Sequence, residues 1–219
     1  MTLPCIVIPM KSPKKAKQRL SLHLSNEDRE SLALTLFKKT LAFFNRHFPH
    51  IETLVVSESS EVLALAKTYG THTLFDDGSQ GLNGALKRAC GWVKQAGFSQ
   101  QLIIPSDIAI LDKMEIESLL LSSEQASVVI ALAKDGGTNA LLTSPPDAIE
   151  FAYGTHSANK HKAKAVSKKM SCVCLQLPHL SLDIDLSDDL EKAIKQQPEL
   201  FKKWCQPLAS SLYKEALYA

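Results

Sequence analysis

The chain has 219 residues, 45% of them hydrophobic and 22% charged, with a formal net charge of +2, an ordinary composition for a folded α/β domain with a full core. No apolar run approaches the roughly 20 residues that span a bilayer; even the opening MTLPCIVIPM is cut short by Lys11. Cys5, Cys90, Cys172, Cys174 and Cys205 form an odd set with no CxxC pair and no zinc-finger spacing, which argues against a disulfide framework and for reduced core thiols.

In chain order, LPCIVIP reads as a short buried strand and not as a signal peptide, because it has neither a basic leader nor a small-residue cleavage site. The chain is accordingly expected in the cytosol. Ser25 and Asp28 resemble a capping box that opens a helix, in which Leu34, Phe37, Leu41, Phe44 and Phe48 recur at three-four spacing as a core stripe. The strand ETLVVS follows, then a helix over 61–69 ended by Gly70, the strand THTLF, the turn DDGSQG, and a helix over about 82–95 closed by Gly97. QLIIP is the next strand, and Asp112 is placed to cap a helix. SVVIALA and NALLT are two strands joined by KDGGT, too short a connection for a helix and therefore open to an antiparallel hairpin.

After Pro145 and Pro146 the chain runs through FAYGTHS into a Lys-rich helix, the strand CVCLQL and the polar stretch LDIDLSDDL. Cys172 and Cys174 alternate on one face of that strand. Ser187 is placed to cap the last helices, over 187–196 and 198–218. No repeat, low-complexity linker or composition shift divides the chain, so residues 1–219 are read as one domain. Repeated βα units close by right-handed crossovers, which predicts a three-layer α/β sandwich with a mostly parallel mixed sheet.

In such a sheet the ligand sits beyond the carboxyl ends of the strands, so the residues just after each strand carry the chemistry. After the first strand, PMKSPKKAKQRL holds Lys11, Lys14, Lys15, Lys17 and Arg19 without an acidic residue, a cradle for a polyphosphate or else a solvated basic loop. It lacks the glycine spacing of a Walker loop or a dinucleotide fingerprint. After QLIIP comes Asp107, fit to ligate magnesium or to cap a turn. Asp183 and Asp185 share a face if extended, and Asp107 with one of them suffices for a magnesium ion that bridges phosphates. Gly136, Gly137 and Thr138, and then Gly154 and Ser157 ahead of a helix, form two turns that favour an anion. A second lysine cluster falls at Lys160, Lys162, Lys164, Lys168 and Lys169. The cations form no long stripe and few aromatics interleave them, which argues against nucleic acid.

The segments IPMKSPKKAKQRL, GLNGAL, PSDIA, DGGTNALL, FAYGTHS and DIDLSDDL resemble, in order, the motifs of the 2-phospho-L-lactate guanylyltransferase family of coenzyme F-420 biosynthesis. The resemblance runs to about Leu190, and its specific part is DGGTNAL followed by the FxxG turn. It implies a fold like that of the nucleotide-diphospho-sugar transferases (Rossmann-like), GTP as donor, and 2-phospho-L-lactate, phosphoenolpyruvate or 3-phospho-D-glycerate as acceptor. It further implies that Lys11, Lys17 and Arg19 contact the GTP phosphates and that Gly81, Leu82 and Asn83 lie near the base. Thr138, Gly154 and Ser157 would hold the acid. Asp107 would bind magnesium with Asp185 or Asp183, and Asp107, Lys11 and Lys17 would carry the catalysis.

Two departures stand out: PSDIA where the family commonly has PADLP, and YGTHS where it commonly has FGPGS, which leaves His156 as an exposed turn residue or an extra cation. Competing readings are a sugar-phosphate or molybdenum-cofactor nucleotidyltransferase of the same fold, and an inactive nucleotide-binding regulatory subunit. The choice of acid and the oligomeric state, a homodimer included, stay open at this level.

Overall fold

The computed structural model describes residues 3–218, and their side chains as far as residue 209. Seven strands form one sheet: β1 (Cys5–Pro9), β2 (Thr53–Ser57), β3 (His72–Phe75), β4 (Gln101–Ile103), β5 (Val128–Leu132), β6 (Thr138–Thr143) and β7 (Cys172–Leu175). Their order is β3-β2-β1-β4-β6-β5-β7. All neighbours run parallel except β6, which is antiparallel to both β4 and β5. The expected hairpin is therefore present, within the expected mostly parallel sheet.

The helices are α1 (Asn26–His47), α2 (Ser60–Lys67), α3 (Gly81–Gln95), α4 (Lys113–Ser122), α5 (Ser157–Ser167), α6 (Ser187–Gln196) and α7 (Pro198–Tyr218). Ser25 caps α1 by accepting the Asp28 N–H at 3.1 Å, and Asp112 caps α4 by accepting the Glu115 N–H at 3.1 Å. Gly70 and Gly97 end their helices at φ 74° and 88°, values that glycine adopts without strain. Ser187 does not cap α6. It is the first helical residue, and Asp189 reaches back to accept the Leu186 N–H at 3.0 Å, a bond that a short carboxylate inside the first turn makes readily.

One face of the sheet packs against α1, α2 and α4, through Phe37, Leu41, Phe44, Val62, Ala66, Ile116 and Leu119. The other packs against α3 and α5, through Leu86, Ala89, Val93, Ala158 and Ala165. In the predicted α1 stripe Leu34 is only half-buried, and Leu32, Ala33 and Leu36 take the inward positions. The reason is that α1 is flanked on two sides. Its second side, with Leu32 and Leu36, packs against Leu182, Ile184, Leu190, Phe201 and Trp204 from α6, α7 and the segment before them.

The five cysteines are free, but they are not all core. Cys5 and Cys90 are buried, whereas Cys174 is exposed because β7 is an edge strand. Among the described residues no helix is long and apolar enough to cross a membrane.

Phe37 is fully buried where α1 meets the sheet. Phe37→Ala is expected to lower the free energy of unfolding by about 3–5 kcal/mol, read from urea denaturation. A loss below about 1 kcal/mol would mean that the α1 contact with the sheet collapses around the gap at little cost.

Candidate functional site

The chain steps outward from β1 to β2 and β3, then crosses back to place β4 on the other side of β1. Neighbouring connections thus leave the sheet in opposite directions and open a crevice beyond the carboxyl ends of β1 and β4. A cavity of about 720 Å³ fills it. Lys11, Lys15, Lys17 and Arg19 line it from the loop after β1; Glu58 from the end of β2; Asp76 and Asp77 from the end of β3. Gly81 and Leu82 contribute from the start of α3, Asp107 from the loop after β4, and Tyr153 and Asp185 from farther along the chain.

Lys17 is the most deeply placed cation of this wall, with its side chain 4% exposed. Its backbone is left-handed, φ 54° and ψ 35°, a conformation that costs a residue with a Cβ about 1–2 kcal/mol. That turn sends the ammonium inward, 2.8 Å from Asp107 Oδ2 and 3.6 Å from Asp185 Oδ1, and it also donates to the Ile184 carbonyl. Arg19 Nη1 meets the other oxygen of Asp185 at 3.3 Å.

A short antiparallel bridge brings the two carboxylates together. Ile108 pairs with Asp183, Ala109 N–H donates to the Leu182 carbonyl at 2.8 Å, and Ile184 N–H donates to the Asp107 carbonyl at 3.1 Å. Lys39 of α1 fixes the same segment, donating to the Ala109 carbonyl and, at 2.8 Å, to Gln197 Oε1. Burial there pushes the Lys39 ammonium down to about 8.

Along 182–185 the apolar Leu182 and Ile184 are buried while Asp183 and Asp185 alternate with them on the opposite face, as an extended segment requires. Asp183 accepts from Asn139 Nδ2 at 3.0 Å. Burial raises its carboxyl to about 6, and the charges of Asp107 and Asp185 push in the same direction.

Two carboxylates, Asp107 and Asp185, thus meet one buried ammonium, with Asp183 close enough to feel their charge, and their oxygens are donors of the kind a hard divalent cation takes. No group of three or more His, Cys, Asp or Glu side chains that could hold one metal ion occurs among the described residues. Magnesium asks for less, since it takes one or two carboxylates and completes its shell with water and substrate phosphate. Asp107 and Asp185, 30% and 45% exposed at the cavity wall, fit that requirement.

A second cluster lies at the same sheet edge. Because β6 runs backwards, with Leu141 opposite Ile103 of β4, its beginning and not its end lies where β4 stops. Thr138 and Asn139 are the first residues of β6. Thr138 Oγ1 lies 3.1 Å from Ser157 Oγ and 3.1 Å from His161 Nδ1, and His161 Nε2 accepts the Ala152 N–H at 2.9 Å. His161 is fully buried, and burial, helped by Lys164 and Lys160, lowers its imidazole to about 4. The turn over 154–156 ahead of α5 uses left-handed backbone at Gly154 (φ 123°) and His156 (φ 54°).

The predicted residues therefore fall into two groups. Lys11, Lys17, Arg19, Gly81, Leu82, Asp107 and Asp185 share the cavity, with Asp183 beside them. Thr138, Gly154 and Ser157 lie outside its lining, beside His161, whose ring meets Tyr153 of the cavity wall edge-on. Asn83 belongs to neither wall. Its amide clamps the second group, accepting the Tyr153 N–H at 2.8 Å and donating to the Tyr153 carbonyl at 3.2 Å. His156 is exposed on its turn.

Sequence reasoning missed Glu58, which accepts the Ser12 N–H at 3.1 Å and ties the basic loop to β2. It also missed Asp76, 2.9 Å from Arg88 Nε. Both follow strand ends, so the same rule applied to β2 and β3 finds them. Asn139 is the one amide of β6, whose other polar residues are the threonines at its two ends. His161 has no such signal, since it reads as one more polar residue of a Lys-rich helix.

Residues 4–199 match the family described as guanylyl transferase CofC-like. The 3-phospho-D-glycerate guanylyltransferase of Colwellia psychrerythraea is 46% identical over 187 residues, covering 85% of this chain and 89% of its own. The 2-phospho-L-lactate guanylyltransferase of Methanothermobacter thermautotrophicus is 34% identical over 190 residues, covering 87% and 83%. A crystal structure from Desulfovibrio desulfuricans, of a protein assigned to the nucleotide-diphospho-sugar transferases, superposes with a TM-score of 0.70 at 16% identity, covering 93% of this chain and 99% of that one. At that identity the likeness establishes the fold alone, and it is the fold expected from the sequence.

Asn83→Ala removes both bonds to Tyr153 and is expected to cost about 1–3 kcal/mol in urea unfolding. Asn83→Asp, which keeps the acceptor alone, should fall between. An Asn83→Ala protein as stable as the parent would remove the clamp.

A pH dependence follows from His161. Its folded value of about 4 lies below the ordinary 6.5, so between these values the unfolded chain binds a proton that the folded chain refuses. Stability from this group is present above pH 6.5 and is lost as the pH falls towards 4. Between pH 7 and pH 4 the parent should lose about 3 kcal/mol more than His161→Asn does. Parallel losses in the two proteins would contradict the burial of a neutral ring.

Proposed function

The chain belongs to the CofC-like guanylyltransferase family, and from that premise we propose that it transfers GMP from GTP to the phosphate of 3-phospho-D-glycerate, with release of pyrophosphate. The observation that carries the reading is the convergence of Lys17, Asp107 and Asp185 at the switch point of the sheet, under a loop of exposed cations. The preference among acids rests on the 46% identity to a phosphoglycerate enzyme, against 34% to a phospholactate enzyme. The product belongs to coenzyme F-420 biosynthesis. The reaction is assigned to the cytoplasm and to one nucleotidyltransferase unit.

In this proposal GTP lies in the cavity with its base towards Gly81 and Leu82 and its phosphates towards the basic loop. Lys11 and Arg19 neutralise the triphosphate from the exposed rim. Lys17 works from beneath, aligning Asp107 and Asp185 and adding positive charge where negative charge collects. Thr138, Gly154 and Ser157 hold the acid beside the cavity. An oxygen of its phosphate attacks the α-phosphorus in line, a new P–O bond forms, and the bond to the bridging oxygen breaks with both electrons leaving on pyrophosphate. A phosphate monoester is already anionic near neutral pH, so no residue has to remove a proton, and positioning and charge neutralisation supply the acceleration. Asp107 and Asp185, with Asp183 as the alternative to Asp185, would hold magnesium, which when bound supplies charge neutralisation and orientation at the phosphates.

Purified protein with GTP, magnesium and each of the three acids separately should release pyrophosphate fastest with 3-phospho-D-glycerate, with the product identified by mass. Preference for phosphoenolpyruvate or 2-phospho-L-lactate would reassign the acid, and no release with any of them would sink the activity. Asp107→Ala should lower turnover by about 100-fold or more while the melting transition is retained. Near-normal turnover in that protein would remove Asp107 from the site.

A further inference from the structure

We propose that His161 is a positioning residue for the acceptor acid: by donating from its ring to Thr138 Oγ1 it keeps one hydroxyl hydrogen of the Thr138–Ser157 pair free of the ring and oriented to donate to the carboxylate of the acid. The proposal rests on the reading that Thr138, Gly154 and Ser157 hold that acid.

The inference comes from counting hydrogens. A backbone N–H can only donate, so the Ala152 N–H, 2.9 Å from His161 Nε2, requires a bare lone pair on that nitrogen. The ring is neutral, in keeping with its depressed basicity in a fully buried position, and the bare Nε2 puts its hydrogen on Nδ1. Nδ1–H in turn donates to Thr138 Oγ1, 3.1 Å away. Thr138 and Ser157 hold two hydroxyl hydrogens, and one of them lies between the two oxygens, 3.1 Å apart. Whichever way that bond runs, the other hydrogen has no acceptor within the trio.

The opposite tautomer would reverse the character of the site. Nδ1 would then accept the Thr138 hydrogen, Ser157 would donate to Thr138, and the pair would present oxygen lone pairs alone, which repel a carboxylate. The Ala152 N–H thus fixes, through the ring, a donor at the hydroxyl pair. The turn next to the pair is open at Gly154. A Cβ added at Gly154, whose carbonyl accepts the Ser157 N–H at 3.0 Å, would meet no heavy atom within 4 Å.

The test compares His161→Leu, which leaves both hydroxyl hydrogens on the pair but removes the ring N–H that engages Thr138 Oγ1 and so sets where the free hydrogen points, with His161→Asn, whose amide nitrogen can stand where Nδ1 stands, using the acid that the enzyme turns over. His161→Leu should raise KM for the acid about tenfold or more, with KM for GTP and kcat at saturating acid changed less than about threefold. His161→Asn should restore KM for the acid to within about threefold of the parent. Thr138→Val and Ser157→Ala are measured alongside. If neither raises KM for the acid, the acid site itself is misassigned. If they do and a folded His161→Leu does not, only the role of His161 is overturned. Should His161→Leu fail to fold, the imidazole 15N spectrum of the parent decides: a protonated Nδ1 with a bare Nε2 is expected, and a protonated Nε2 overturns the proposal.

Discussion

Lys17 carries its charge to a place where 4% of its side chain meets solvent, and an ammonium at that depth persists only if anions surround it. Asp107 and Asp185 do so, and each would repel the other without it. Much of the surrounding structure exists to maintain this arrangement. The left-handed turn at Lys17 aims the side chain inward, the bridge between 107–109 and 182–184 brings the carboxylates into register, and the apolar cluster of α1, α6 and α7 holds that bridge down. The C-terminal helices therefore support the bridge, and none of their described side chains lines the cavity. Leu182 and Ile184 anchor the very segment whose alternate residues are Asp183 and Asp185.

The sheet supplies the second constraint. Its switch point opens one crevice at the ends of β1 and β4, and the reversed β6 brings Thr138 and Asn139 to the same edge from the other direction. Two of the contacts that tie this edge together are made by asparagines. Asn83, in the first turn of α3, binds both backbone groups of Tyr153, and Asn139, at the start of β6, binds Asp183. Both use a side-chain amide, which adds no charge to an edge already crowded with ions: Asn83 donates and accepts, and Asn139 donates to Asp183 and to the Leu180 carbonyl.

The elements of the chain were largely legible, because hydrophobic period and capping chemistry are local. The predicted strands, the hairpin and both C-terminal helices occur where glycine, proline and cap residues bound them. Misreadings arose where tertiary context decides. Leu34 yields to Leu32 and Leu36 because α1 is covered on two sides, the bond expected at Ser187 is made instead by Asp189, two residues on, and Cys174 is exposed because β7 is the edge strand among the described residues. The positions of Asp107 and of the basic loop after strands are legible in the sequence, and the structure brings both to one cavity. His161 is not legible there, since its significance lies in an N–H from Ala152 and a hydroxyl from Thr138 that periodicity cannot bring together.

The reversed direction of β6 bears on how such proteins diversify. On the proposed assignment, nucleotide chemistry is written in residues 9–19, 76–82 and 107, whereas the small acid is read by a hairpin and the first turns of one helix, over 136–161. A lineage can therefore retool its choice of acid by substitution in the second stretch while inheriting the first unchanged. Relatives named for phosphoglycerate and for phospholactate, aligned over most of the same chain, are what such divided inheritance would leave behind.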